Sequence, residues 1–439
     1  MRGAPAIAVR GSEGSLCVDD DDGTMSKKKI VLAYSGGLDT SYCIPYLQEK
    51  KGFDVVTVTA DTGGFDAEEL REIEARSKAL GAIEHFTVDG RQRVFERWVS
   101  YLIKGNVLRG QVYPLAVAAE RVVQAEIVAE KAIAVHASAV AHGSTGAGND
   151  QVRFDVAFHV LLPGIEIVTP TRDEKLSRDE EYQFLKARGV DIDPSMREYS
   201  INSGLWGATI GGGVTHDSTR EIPADVWERA VDVAPTDESE VVSIGFEAGV
   251  PVAMGGGRLA DPRMGGVELI NTLGDICRRH RVGFGIHIGD TVLGIKGRIA
   301  FEAGAAIVLI HAHRELEKIT LTAWQRFWKD HLAEFYGKML HEGQAFEPAL
   351  RDIEAMIDSS QTRVSGVAGV RLGAGSFQVI TVDSPHSLAG AAAGVYGEMP
   401  KLWEGKDVRG YSTMAAIPAR LHRAAGSKDA PPSEREAGR

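Results

Sequence analysis

The fold of the N-terminal half is decided by the stretch Ile30-Val31-Leu32-Ala33-Tyr34-Ser35-Gly36-Gly37-Leu38-Asp39-Thr40-Ser41. An apolar run ends in a Ser-Gly-Gly turn, and a helical pattern follows through Lys50. The glycines let backbone N–H groups turn towards an anion, and the start of the helix adds partial positive charge, so the stretch predicts a phosphate-binding loop. A tight turn with Thr40 or Ser41 as helix N-cap is the alternative. The Lys of the GxxxxGK[ST] motif is absent, which disfavours a P-loop kinase or GTPase.

Outward from this loop, short apolar runs alternate with helical patterns as far as about residue 195. Strands are predicted at residues 30–34, 55–60, 86–88, 135–141 and 165–168. Helices are predicted at residues 42–50, 67–80, 113–131 and 177–189, the last opened by a capping box of Ser177 and Glu180. Strands that alternate with helices form parallel sheets. The fold class predicted for residues 25–195 is therefore α/β, with a doubly wound parallel sheet.

After about Met196 the pattern changes to clustered glycines and to strands paired across short turns. Two hairpins are predicted, at residues 241–254 and 367–382. Between them, a helix over residues 324–340 carries an aromatic stripe, which is typical of a core or a subunit interface. Residues 196–400 are therefore predicted to form a second, α+β domain. Residues 1–24 are predicted to be a disordered leader, and residues 401–439 a C-terminal segment and tail.

His311 and His313 raise the question of a metal site in this second half. A strand is predicted over Ala305–His311, and its alternation would put both imidazoles on one face, at the spacing of metal ligands. A third ligand is not evident, so no metal-ligating residue is assigned.

Composition narrows the possible functions. The 439 residues suffice for two or three domains, and 49 Lys and Arg against 61 Asp and Glu give a net charge of −12. That charge weighs against a general nucleic-acid binder. The longest apolar runs fall far short of the roughly 20 residues that span a bilayer, so no membrane partner is predicted. The three cysteines lie far apart without a CxxC pair, which favours a reducing, cytoplasmic location.

A second polar stretch follows the strand predicted at residues 135–141. It reads His142-Gly143-Ser144-Thr145-Gly146-Ala147-Gly148-Asn149-Asp150-Gln151-Val152-Arg153-Phe154. Its hydroxyl, amide, carboxylate and guanidinium groups suit zwitterionic amino acids, whose ammonium needs a carboxylate and whose carboxylate needs Arg or N–H donors. For any one of these residues alone, a polar loop with solvated charges is the alternative.

The first stretch resembles the SGGxD[ST] loop of the N-type ATP pyrophosphatases, whose ATP-binding domain has an adenine nucleotide alpha hydrolase-like fold. The resemblance implies that ATP is cut between its α- and β-phosphates and that an acceptor oxygen is adenylated. It also implies that Asp39 helps to organise Mg²⁺ or the phosphates. The implied ATP-binding residues are Ala33, Tyr34, Ser35, Gly36, Gly37, Leu38, Asp39, Thr40 and Ser41 in the loop, Ala60 at the adenine, and Gly143 in the second stretch.

The second stretch is similar to the HG[AS]TGxGNDQVRF signature of the argininosuccinate synthase family, and the resemblance extends from about residue 28 to about residue 385. It implies a cytoplasmic homotetramer of arginine biosynthesis, with a synthetase and multimerisation domain, that ligates citrulline to aspartate through citrullyl-AMP and releases AMP and diphosphate. The implied aspartate-binding residues are Thr145, Asn149 and Asp150. The implied citrulline-binding residues are Tyr113, Asn149, Arg153, Ser200 and Thr209.

Three departures from the family's pattern concern citrulline. Ala118 stands where the family usually has Ser, the region around Gly289 lacks a Glu, and Phe301 replaces a Tyr. Asp290 is the residue that could stand in for the missing Glu. These departures leave open, beside the ligase, a catalytically silent nucleotide-binding sensor. A tRNA-modifying ATP pyrophosphatase is the other alternative, although it would want a basic face and this chain is acidic.

Overall fold

The computed structural model describes residues 27–146, 148–190, 199–230, 234–256, 262–389, 397 and 401–426. Three predictions lie outside this part of the chain: the disordered leader of residues 1–24, the domain boundary near residue 195 and the tail after Gly426. None of the described helices combines the length and the apolar character that a bilayer-spanning segment requires.

The N-terminal half of the described chain is built on a parallel sheet. Its strands are β1 (Lys29–Ala33), β2 (Asp54–Asp61), β3 (Glu84–Asp89), β4 (Ala139–His142) and β5 (Glu166–Val168). They pair in the order β3-β2-β1-β4-β5. The strand order reverses between β1 and β4, and open α/β sheets bind ligands at the carboxyl ends of the strands beside such a switch point.

Helices cover both faces of this sheet. The helices are α1 (Leu38–Glu49), α2 (Ala67–Ala79), α3 (Arg91–Val94), α4 (Ser100–Lys104), α5 (Ala118–Ala134), α6 (Asp150–Leu161), α7 (Pro170–Glu174) and α8 (Arg178–Lys186), with a π-helical turn at Phe95–Val99 between α3 and α4. Alternate residues of β1 enter different apolar clusters: Leu32 packs with Leu47 of α1, and Val31 packs with Val123 of α5. The prediction of a doubly wound α/β domain is confirmed.

One helix begins later than predicted. The helix expected from Tyr113 is wrong at its start, because α5 begins at Ala118. Leu115 has a φ of 61°, in the left-handed region, which a right-handed helix does not contain. The loop is held from the second half of the chain, where Trp206 Nε1 donates to the Pro114 carbonyl at 2.9 Å. A tertiary contact has therefore overridden the local helical pattern.

The second half carries antiparallel sheets and helices, as predicted for an α+β domain. Its strands are β6 (Tyr199–Gly204), β7 (Gly207–Gly212), β8 (Glu240–Glu247), β9 (Val250–Gly256), β10 (Phe284–Asp290), β11 (Lys296–Glu302), β12 (Gly366–Gly373) and β13 (Ser376–Asp383). One sheet has the order β10-β11-β7-β6, and the other, β13-β12-β8-β9, contains both predicted hairpins. The helices are α9 (Ala224–Ala230), α10 (Gly266–Arg279), α11 (Gly304–Thr320), α12 (Ala323–His341), α13 (Ala349–Gln361), α14 (Gly405–Ala415) and α15 (Ile417–Gly426).

The predicted strand Ala305–His311 is wrong, because these residues belong to α11. A short apolar run does not distinguish a strand from a buried helix, and this one continues in a helical pattern. His313 is fully buried with Nδ1 2.7 Å from Asn106 Oδ1, whereas His311 packs edge-on against Phe377. The two imidazoles therefore face different neighbours. Across the described residues, His, Cys, Asp and Glu form no group of three or more that could hold a metal ion.

Candidate active site

The phosphate loop lies between β1 and α1, at the carboxyl edge of the parallel sheet. Gly36 has a φ of 75°, which favours glycine, and a Cβ there would lie 2.7 Å from Ile73 Cγ1. The N-cap of α1 is Gly37, and no side chain caps this helix. The alternative of Thr40 or Ser41 as the N-cap is therefore wrong. A helix start without a side-chain cap suits an anion, which can accept from its N–H groups.

The side chains of the loop divide into an exposed rim and a buried layer. At the rim, Ser35 Oγ and Thr40 Oγ1 lie 3.2 Å apart. Ser41 is buried with its hydroxyl 3.3 Å from that of Tyr34, and Leu38 is buried as well. The two rim hydroxyls can therefore meet a phosphate, whereas the three buried side chains shape the loop from beneath.

The second polar stretch meets this loop because β4 pairs with β1, where His142 lies opposite Ala33. A Cβ on the following residue, Gly143, would lie 3.0 Å from Thr40 Cγ2 and 3.1 Å from the Thr40 backbone nitrogen. A glycine permits this approach without a shift of either loop. Ala60 lies near the same edge, towards the end of β2 on the other side of β1. The predicted ATP-binding residues thus come together from three neighbouring strands.

Asp39 lies in the first turn of α1, next to two residues of α8. Arg178 Nε is 3.5 Å from Asp39 Oδ1. Glu181 is fully buried, and burial, reinforced by the charge of Asp39, raises the pKa of Glu181 to about 8. Mg²⁺ commonly binds one or two carboxylates together with nucleotide phosphates. The partly exposed carboxylate of Asp39, beside the phosphate loop, fits such a complex.

Asp150 opens α6 and is held by two arginines. Its Oδ2 accepts from Arg121 Nε at 2.9 Å, and its Oδ1 accepts from Arg153 Nη1 at 2.8 Å. Burial raises the pKa of Asp150, but the two guanidiniums outweigh burial and lower the pKa to about 2. The carboxylate is therefore charged at neutral pH and suited to an ammonium group. Thr145 and Asn149 precede it in the same loop, so the predicted aspartate-binding residues lie together.

One face of the β10-β11-β7-β6 sheet forms the opposite wall of the site. Asn202 pairs with Thr209, and Thr209 pairs with Phe301. Ser200 lies two residues before Asn202, so its side chain shares this face. Arg121 Nη2 donates to Asn202 Oδ1 at 2.7 Å and joins this wall to the arginine-bound carboxylate. Ser200 and Thr209, the predicted citrulline contacts of β6 and β7, therefore lie on the face of the sheet that is turned towards the second polar stretch.

Tyr113 bridges the two halves of the chain at this wall. Its ring stacks on His287 at 5.5 Å between centroids and lies 5.3 Å from the ring of Phe301. Burial raises the pKa of Tyr113 to about 12, so its hydroxyl stays protonated. His287 Nε2 is buried, and in the described part of the chain it has no hydrogen-bond partner. Leaving such a nitrogen unpaired costs about 1–3 kcal/mol, and a ligand that hydrogen-bonds to it would remove this cost.

The departures from the family's pattern lie around this wall. Ala118 is buried at the first position of α5. A Cβ on Gly289 would lie 2.5 Å from His287 Nε2, so the imidazole occupies the space that a longer side chain at 289 would need. Asp290 does not fill that place. The alternation of β10 turns it to the other face, where its exposed carboxylate binds Lys296 at 2.6 Å.

Two predicted site residues are already bound to the second half of the chain. Arg153 Nε donates to the His341 carbonyl at 3.0 Å, and Arg153 Nη2 lies 3.1 Å from His341 Nδ1. Asn149 Oδ1 accepts from the Val292 N–H at 2.8 Å. These bonds fix the second polar stretch against the C-terminal end of α12 and against the turn between β10 and β11.

Sequence reasoning missed Arg121 and His287. One feature of the sequence could have pointed to Arg121. It is a cation in a largely apolar part of α5, and a buried cation needs a partner of opposite charge. His287 has no such feature, since its place in the site depends on a contact with a ring 174 positions away in the chain, that of Tyr113.

The fold and the site define an adenine-nucleotide-binding α/β protein that holds amino acids beside the nucleotide. Residues 29–191 match the family model of the arginosuccinate synthase N-terminal HUP domain, and residues 199–422 match that of the arginosuccinate synthase C-terminal domain. The chain belongs to the argininosuccinate synthase family.

Relatives from distant organisms resemble the chain over most of its length. The argininosuccinate synthase of Methanopyrus kandleri is 43% identical over 366 residues, covering 82% of this chain and 90% of the relative. That of Methanocaldococcus jannaschii is 38% identical over 358 residues, covering 82% and 89%. That of Dehalococcoides mccartyi is 36% identical over 397 residues, covering 90% and 96%.

Proposed function

We infer that this protein joins L-citrulline to L-aspartate at the expense of ATP and forms argininosuccinate, AMP and diphosphate in arginine biosynthesis. The inference rests above all on the packing of Gly143 against Thr40, which places the second polar stretch directly beside the phosphate loop. One cleft can therefore receive a nucleotide and two amino acids.

The chemistry requires ATP because the oxygen of a ureido group is a poor leaving group. Attack of that oxygen on the α-phosphorus expels diphosphate and forms citrullyl-AMP. The aspartate amine then attacks the ureido carbon, and AMP leaves with the former ureido oxygen. Both steps depend on positioning the reactants and on stabilising phosphate charge, which the loop and the arginines supply.

The nucleotide roles belong to the phosphate loop and its neighbours. The start of α1 and the rim hydroxyls of Ser35 and Thr40 hold the diphosphate, Gly143 borders it, and the Ala60 backbone meets the adenine. Asp39 would hold Mg²⁺, which neutralises phosphate charge when bound.

The amino-acid roles divide between the two walls. Asp150 receives the ammonium of aspartate, helped by Thr145 and Asn149. Citrulline lies between this loop and the sheet, where its contacts are Tyr113, Asn149, Arg153, Ser200 and Thr209. Because Arg153 also holds Asp150 and His341, it orders both substrates at once.

Diphosphate release measured with citrulline and aspartate added singly and together tests this function. Release that needs both amino acids, with argininosuccinate identified by mass spectrometry, is the expected result. A tRNA-modifying pyrophosphatase would release diphosphate only with RNA, and a silent sensor would bind ATP without release. Either of these outcomes would contradict the ligase.

We propose that the enzyme is a homotetramer. In α12, Trp324 is 74% exposed and Trp328 is 58% exposed. No residue of α14 or α15 is buried, although both helices carry large apolar side chains such as Tyr411 and Leu421. Exposed apolar faces of this size are typical of interfaces. Light scattering of the intact protein should give four times the mass of one chain, and a monomer would contradict the proposal.

We also propose a cytoplasmic location. Cys43 and Cys277 are free thiols in the described chain, which suits a reducing compartment. Fractionation of cells that make the protein tests this.

A further inference from the structure

One corner of the proposed site for the acceptor, citrulline, is formed by two side chains that are not among the proposed citrulline contacts. It consists of Arg109 and His287, next to the stacked ring of Tyr113. One N–H of Arg109 donates to the Asp290 carbonyl at 2.8 Å, which holds the guanidinium over the end of β10. Gly110, the residue after Arg109, packs against the imidazole of His287. The two groups therefore share one small region.

Glycines make room for the imidazole of His287. A Cβ on Gly110 would lie 3.2 Å from His287 Cε1, and a Cβ on Gly289 would lie 2.5 Å from His287 Nε2. The ring is thus enclosed by backbone on these sides and by Tyr113 on its face. A buried nitrogen that has no partner among the described residues, fixed in this way, is preorganised for a ligand that can hydrogen-bond to it.

The charges whose contacts place them near this corner are unbalanced. Asp150 is shared by two arginines and already has the ammonium of aspartate as its proposed ligand. The carboxylate of Asp290 is bound to Lys296 on the other face of β10. Glu120 is buried, with its Oε2 accepting from Thr62 and its carboxylate packed against Gly204 of β6, which closes it off from solvent. Arg109 is therefore the cation left to act on a ligand. Burial lowers the pKa of His287, so its imidazole contributes a hydrogen-bonding nitrogen and not a charge, and together the two groups suit a carboxylate.

We propose that Arg109 and His287 bind the carboxylate of the acceptor, and that the enzyme consequently uses ω-ureido carboxylic acids that lack an α-amino group as well as citrulline. This rests on the proposed ligase function. The corner recognises the acceptor by its anionic end, and among the described residues Asp150, Asp290 and the buried Glu120 leave no dedicated partner for an α-ammonium.

The reaction balances with such an acceptor. For 5-ureidopentanoate, the ureido oxygen displaces diphosphate from ATP, and the nitrogen of aspartate then forms a bond to the ureido carbon. The carbon–oxygen bond breaks, AMP departs with that oxygen, and the proton lost by the amine passes to solvent. The product is a guanidine that carries one 1,2-dicarboxyethyl and one 4-carboxybutyl substituent.

The first test compares acceptors with the unaltered enzyme, by diphosphate release and mass spectrometry of the product. With aspartate and ATP saturating, kcat/KM for 5-ureidopentanoate should lie within about tenfold of that for citrulline. Citrullinamide, which lacks the carboxylate, should be at least about tenfold worse than citrulline, since a hydrogen bond to a charged group is lost. Normal turnover of citrulline with none of 5-ureidopentanoate would overturn this proposal but leave the ligase intact. Failure of both acceptors would overturn both.

The second test uses His287→Phe, which keeps a ring against Tyr113 and removes both nitrogens. It should lower kcat/KM for citrulline about tenfold and leave that for citrullinamide within twofold of its wild-type value. His287→Gln, which restores a donor, should recover part of the loss. An equal loss with both acceptors would show a structural role only, and a rise confined to the aspartate KM would place the carboxylate of aspartate there. Either result would overturn the assignment.

Discussion

Replacing Asp150 by Asn tests the centre of the site, because this carboxylate holds two arginines in the fold and is also the proposed partner of the aspartate ammonium. The change keeps the shape of the side chain and removes the charge to which Arg121 and Arg153 donate at 2.9 and 2.8 Å. Arg121 is 9% exposed and Arg153 is 6% exposed. Water therefore cannot replace the lost carboxylate unless the loop rearranges.

The size of the effect follows from the pKa of Asp150. That pKa is about 2 in the folded protein against 3.8 for an unperturbed Asp, and one unit corresponds to roughly 1.4 kcal/mol, so ionisation contributes on the order of 2 kcal/mol to stability. Because the folded pKa is the lower one, the contribution is present above about pH 4 and is lost as the pH falls towards 2. At pH 7 the variant should melt several degrees lower than wild type.

The kinetic effect should be specific to one substrate. Loss of a hydrogen bond between charged groups costs roughly 1.5–3 kcal/mol, so the aspartate KM should rise about tenfold or more, with a much smaller change for ATP. The matched control is Asp173→Asn. This carboxylate is 56% exposed, and its ion pair with Arg172, at 3.5 Å, is longer than those of Asp150. An Asp150→Asn variant that melts as wild type does and keeps its aspartate KM would refute the role. A lower melting temperature with an unchanged KM would leave Asp150 purely structural.

Three further substitutions probe other parts of the structure. Gly36→Val puts a β-branched residue at a φ of 75° and its Cβ 2.7 Å from Ile73, so diphosphate release should fall at least about 100-fold with an unchanged circular dichroism spectrum; normal release would contradict the phosphate loop. Burial raises the pKa of Glu120 from 4.5 to about 8, so wild type loses stability between these pH values. Glu120→Gln should escape that loss, so at pH 8.5 it should be more stable than wild type, by up to about 5 kcal/mol, and should melt at a higher temperature, but not at pH 4.5; parallel melting curves would contradict this. Lys329→Met leaves the buried carboxylate of Glu317 without its cation at 2.7 Å and should cost roughly 3–5 kcal/mol, part of which Lys329→Met/Glu317→Gln should regain.

Elements whose signals are local could be predicted from the sequence. The capping box of Ser177 and Glu180 forms as expected, because both partners lie within one turn of α8. The two hairpins in the β13-β12-β8-β9 sheet follow from alternation around short glycine turns. The phosphate loop is equally local, since a strand, two glycines and a helix start are consecutive in the chain.

Elements that depend on distant contacts could not be predicted. The helix expected from Tyr113 is broken by a loop that Trp206 holds through the Pro114 carbonyl. The apolar run at the start of α11 is compatible with a buried strand and with a buried helix, so only its tertiary packing decides between the two. In the site, the donors to Asp150 include Arg121, 29 residues away, and no spacing rule connects the two.

The contacts that build the amino-acid site are also the contacts that join the two halves of the chain. Arg121 links Asp150 to Asn202 of β6, and Arg153 links it to His341 at the end of α12. The phosphate loop, by contrast, is assembled within the parallel sheet. The proposed nucleotide contacts therefore lie in the first half alone, whereas the proposed contacts of aspartate and citrulline depend on both halves. An amino acid that binds Asp150 acts on the same charges that hold the halves together, so substrate binding and the stability of the junction are linked.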